Sequence, residues 1–84
     1  MTATQIRAEI DSIKAETDRM KQIERSMMLV PEVATSWDDL DDMTAYDFMD
    51  EIANFQKSIC NEEELQVIAW CTKNALRDLL SLID

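Results

Sequence analysis

Between Glu62 and Ile83 apolar side chains recur at three- and four-residue steps along two rows, the mark of a helix that needs cover on two sides. Leu65, Ile68, Thr72, Ala75, Leu79 and Leu82 make one row, and Ala69, Leu76, Leu80 and Ile83 make the second beside it. Asn61-Glu62-Glu63-Glu64 supplies the start, a capping residue followed three positions on by a carboxylate that can reach back to the free amides of the first turn. A helix with two apolar seams is normally the middle member of a bundle, so the sequence predicts that the two amphipathic segments before it pack on either side.

The first of those segments, residues 1–30, reads as one long helix capped at Thr4. Ile6, Ile10, Ile13, Thr17, Met20, Ile23 and Met27 keep the helical period, with Arg7/Asp11 and Lys14/Asp18 as four-apart ion pairs on the wet side. Pro31 disfavours helical geometry at Val30 and is expected to close the segment. At about 1.5 Å per residue, a helix of about 26 residues extends about 39 Å, longer than its partners. Part of its stripe is then left over, which leaves two expectations: an intramolecular bundle helix, or one that also forms a homodimer through the N-terminal helix.

Residues 31–43 form an acidic connector. Val33, Trp37, Leu40 and Met43 are apolar at helical steps, and Ser36-Trp37-Asp38-Asp39 resembles a capped turn, so a short helical turn is expected with Trp37 and Leu40 inward and Asp38, Asp39, Asp41 and Asp42 outward. Residues 44–60, capped at Thr44, carry the stripe Phe48, Ile52, Phe55 and Ile59, with Asp47, Asp50, Glu51 and Asn54 opposite. The turn at Cys60-Asn61 is short, which predicts a hairpin of the second and third helices with the first packed across their groove. The expectation is one all-α domain, residues 1–84: a small bundle of three main helices, with the acidic turn between the first and second and residues 61–84 as the third.

Composition narrows the function. A chain of 84 residues buries only about 60 to 65% of the surface its unfolded form exposes, so its core is thin. Cys60 and Cys71 would lie roughly 15 Å apart along antiparallel helices, beyond the reach of a bridge, and read as free thiols of a reducing compartment. Arg7 and Glu9 stand where a leader's apolar region would be, and no apolar run approaches the ~20 residues of a membrane span, which predicts a cytoplasmic chain. With no glycine, phosphate-cradling loops are excluded; with no histidine, the commonest general base and metal ligand are missing. The expectation is a protein that is not an enzyme and binds no cofactor, metal or membrane.

Charge is the positive signal. The net charge is -10, yet before residue 30 five cations balance five carboxylates, while from Glu32 to Glu51 eight carboxylates stand with no Lys or Arg among them. The Asp38–Asp42 run lacks the spacing, glycine and closing glutamate of a calcium loop. Carboxylates one helical turn apart lie about 5 to 6 Å from each other. That spacing is of the order of phosphate charges on a duplex, and such a face suits a basic channel built for nucleic acid. The candidate binding residues are Trp37, Asp38, Asp39, Leu40, Asp41, Asp42, Asp47, Asp50 and Glu51, with Glu62, Glu63 and Glu64 extending the acid surface.

In size, charge and lack of catalytic residues the chain is similar to the small acidic inhibitors that bacteriophages and plasmids encode against host defence. Anti-CRISPR and anti-restriction proteins are among them, and some imitate DNA. No alignable stretch carries the likeness. It implies an inhibitor or regulator of a basic, nucleic-acid-handling protein. The other expectation is a homodimeric structural or adaptor module whose acid tract serves solubility only.

Overall fold

The computed structural model describes residues 1–83, the side chains of Leu79, Leu80, Leu82 and Ile83 excepted. It holds four α-helices, α1 Ala3–Ala15, α2 Arg19–Thr35, α3 Asp42–Ile59 and α4 Glu62–Ile83, with a single 3-10 turn at Trp37–Asp39. The described residues contain no strand. The all-α class and the helical turn in the connector are as the sequence predicts, and the expected three main helices are four.

The difference arises at Glu16-Thr17-Asp18, where the expected long N-terminal helix is broken in two. The Asp18 carboxylate accepts from the amides of Met20 and Lys21 at 2.9 and 3.4 Å, capping α2, while Glu16 Oε1 accepts from the amides of Thr17 and Asp18 at 3.1 and 3.2 Å. Side chains of this type offer the backbone local partners that compete with a continuing helix. The break lets α1 fold back on α2, so Ile6, Ile10 and Ile13 meet Leu29, Val30 and Val33 together with Phe48 and Ile52 of α3. Of the stripe expected along one helix, Ile6, Ile10, Ile13 and Ile23 are thus covered by their own chain, while Thr17 and Met20 at the break stay exposed.

Pro31 does not end its helix. It sits inside α2, which continues to Thr35. The lost amide bond is a local cost, outweighed because one more turn buries Val33 completely and brings the Ser36 amide onto the carbonyls of Glu32 and Val33. Two caps also shift. Thr2 rather than Thr4 opens α1, exchanging reciprocal bonds with Gln5 at 2.9 and 3.2 Å. Asp41 rather than Thr44 opens α3, accepting from the Thr44 amide at 2.9 Å. The Asn61 cap of α4 forms as expected, with the Asn61 and Glu64 side chains each accepting from the other's amide.

The larger correction concerns the centre. α2, not α4, is the middle helix, and it packs on α1, α3 and α4. Of the described α4 side chains only Ile68 is buried, and the hydrophobic core cluster is built from α1, α2 and α3. The expected hairpin does not close either: α3 and α4 share a turn but hardly touch, because α4 lies along α2 and leaves an open trough against α3. Cys60 and Cys71 are free and half-buried, and burial, with the Glu64 charge second, pushes the Cys60 thiol up. One buried polar pair ties α3 to α2: Gln56 Nε2 donates to Ser26 Oγ at 3.1 Å, and that hydroxyl donates to the Ile23 carbonyl.

Candidate functional site

The acid tract begins where α2 ends. The 3-10 turn holds Asp38 and Asp39 in the open, and its capping bond runs from the Leu40 amide to the Trp37 carbonyl. Ser36 gives the turn no side-chain cap. Its hydroxyl instead donates to the Glu32 carbonyl and accepts from the Met1 amino group at 2.7 Å, which ties the start of α1 to the turn.

Trp37 is half-buried rather than fully inward. Its ring meets Tyr46 edge-on at 5.1 Å and its indole N–H donates to Asp42 at 3.0 Å. Leu40, half-buried, packs against the core cluster, so it braces the turn. Met43, which shares the helical spacing of Val33, Trp37 and Leu40, is exposed on the first turn of α3.

Asp41 accepts both the amide and the hydroxyl proton of Thr44, and those bonds, the hydroxyl's first, hold its carboxyl below the usual range. It therefore remains charged through ordinary pH. Asp47 and Asp50 are exposed, and at about 100° per residue they lie with Met43 on the side of α3 opposite the buried Ala45, Phe48 and Ile52.

Glu51 belongs elsewhere. One position further round the helix, it faces α1, where Arg7 clasps it through two bonds of 2.7 Å and Lys14 donates at 2.8 Å. The Arg7 guanidinium also sits over the Phe48 ring, 5.4 Å from its centre. These bonds, Arg7 first, hold the Glu51 carboxyl at about 2 and raise the Arg7 guanidinium above its ordinary value. Glu51, proposed from sequence as a partner-binding carboxylate, is thus an internal clamp between α3 and α1.

Glu62, Glu63 and Glu64 do not extend the patch. The 18 residues of α3 put roughly 27 Å between its two ends. Glu64 is bonded to the Asn61 amide and to Arg19, which together hold it below the usual carboxylate range, the Asn61 bond contributing most.

What converges is a smaller set: Asp38, Asp39, Asp41 and Asp42 at one end, continued by Asp47 and Asp50. Among the described residues none of these six forms a salt bridge, whereas Arg7, Lys14, Arg19 and Arg25 are all engaged with Asp11, Glu51, Glu64, Glu9 or Glu16. Exposed carboxylates of this kind offer charge to a partner. General acid–base work would need one of them desolvated.

The sequence reading missed a second surface. The trough between α3 and α4 encloses about 890 Å3, and Val30, Met49, Ala53, Leu65 and Leu76 line it. Its signal was present in the two seams of α4, which were assigned to intramolecular neighbours. Compared with known proteins, the chain matches no family model, no curated protein and no solved structure.

Proposed function

We propose that this chain is a non-catalytic acidic inhibitor or regulator that occupies a basic, nucleic-acid-binding surface of a host protein. It would be an inhibitor of the anti-CRISPR or anti-restriction type, imitating DNA. The observation that carries it is that, among the described residues, Asp38, Asp39, Asp41, Asp42, Asp47 and Asp50 form no salt bridge, whereas Glu9, Asp11, Glu16, Glu51 and Glu64 each do. Uncompensated negative potential on one end of a small protein speeds encounter with a positive surface and orients the complex. Trp37 and Tyr46, stacked edge-on beside these carboxylates, supply apolar area next to the charge.

Charge reversal tests the reading. The chain and its Asp38→Lys, Asp39→Lys, Asp47→Lys, Asp50→Lys variant are immobilised side by side in a cell extract, and the retained proteins are identified by mass spectrometry. The expected result is a basic nucleic-acid-handling protein held by the natural chain and lost by the variant. Retention of the same proteins by both would overturn it and leave the alternative, a homodimeric structural or adaptor module whose acid tract serves solubility only.

A further inference from the structure

We propose that the trough between α3 and α4 is the docking site for α4 of a second copy of this chain, laid antiparallel along the first. This inference does not depend on the acidic end. It starts from the mismatch between the pattern of α4 and its surroundings. Two apolar seams are written into this helix; one reaches α2 through Ile68, while in the other Ala69 is exposed and Leu76 half-buried, both on the trough. An uncovered seam beside an open apolar channel is half of an interface.

Charge selects the occupant. Only three of the chain's cations follow Arg25, namely Lys57, Lys73 and Arg77, and all three line this trough. In a molecule of net charge -10 they make the one basic-rimmed apolar channel among the described surfaces, which calls for an acidic amphipathic helix.

α4 offers the acidic part in its first turn, Glu62, Glu63 and Glu64, and carries two of the rim cations, Lys73 and Arg77, in its second half. Laid antiparallel about a two-fold axis near residues 70–71, Leu65 of each copy lies against Leu76 of the other and Ala69 against Thr72. Arg77 then comes beside Glu62 of the second copy. The small side chain of Ala69 allows close approach at the axis, and every residue used by one copy is used by the other, as a closed two-fold contact requires. Both seams of α4 are then covered, the second by the partner molecule.

The test is the mass of the full-length chain by sedimentation equilibrium and light scattering, with helicity and melting temperature followed for every variant. The expected natural chain is a dimer in the micromolar range, and Leu76→Asp weakens it by about 100-fold while the melt is kept. Arg77→Glu weakens it by about threefold, and adding Glu62→Arg to Arg77→Glu restores it. The Asp38, Asp39, Asp47, Asp50 reversal leaves the dimer intact, so this surface and the acidic end fail separately. Should Leu76→Asp unfold, the charge-swap pair decides alone. A natural chain that stays monomeric up to about 100 µM, a dimer indifferent to Arg77→Glu, or a Glu62→Arg change that restores nothing would overturn the proposal.

Discussion

Asp50 and Glu51 are neighbours in the chain and opposites in circumstance. Glu51 turns toward α1, where two cations enclose it, and its carboxyl is held at about 2. Asp50 turns outward with Asp47, and no cation among the described residues pairs with either. The two flanks of one helix place acidic residues of this chain in two separate settings. On the inner flank charge joins helices. On the outer flank and the preceding turn charge has no paired cation among the described residues, which costs self-repulsion; the proposed use is to meet a positive surface, and the alternative use is solubility.

Removing charge from each flank should break this contrast in different assays. The largest effect belongs to the outer flank and is read in binding: the Asp38, Asp39, Asp47, Asp50 reversal is expected to lower affinity for a basic partner by about 100-fold or more, with the helical spectrum unchanged. Next comes the inner flank, read in stability. Glu51→Gln removes the carboxylate between Arg7 and Lys14 and is expected to cost about 1 kcal/mol in urea unfolding, no more, because Arg7 is about half exposed and solvent screens the pair.

The same variant has a pH signature. The folded carboxyl lies at about 2 against an ordinary 4.5, so its contribution is complete above about pH 4.5 and fades as pH falls toward 2. Acid titration of the natural chain should lose stability across that window, and Glu51→Gln should lose that portion of the slope. A smaller effect is expected from Asp41→Ala, which removes the α3 cap; amide exchange at Met43 and Thr44 should quicken while the rest of α3 is unaltered. The smallest is Asp47→Asn with Asp50→Asn, expected to stay within about 0.5 kcal/mol of the natural chain in the same unfolding assay.

The periodicity of Phe48, Ile52, Ile6, Ile10 and Ile13 was legible because a helical stripe depends only on spacing, and all five are buried. The cap at Asn61 was legible for the same local reason. The break after Ala15 was not, because Thr17 continues the apolar-side spacing while the deciding bonds come from the carboxylates of Glu16 and Asp18, which the same sequence also permits as helix-face residues.

The passage of α2 through Pro31 depends on burying Val33 against α1 and α3, a tertiary gain that no local rule contains. The place of α4 was misjudged because two seams count the faces that need cover without saying whether cover comes from the same molecule. At the acidic end, the run Asp38 to Asp42 was readable from composition. The separation of Glu51 from Asp50 was not, since it depends on Arg7 and Lys14 arriving from α1.

A salt titration of the complex between this chain and its captured basic partner tests the central claim most directly. If the six unpaired aspartates form the binding face, affinity should fall at least about tenfold as monovalent salt rises from about 50 to about 200 mM, with the loss concentrated in the association rate. Affinity that stays flat across that range, or strengthens, would mean that the partner is held by apolar contact and that the acidic end serves no recognition.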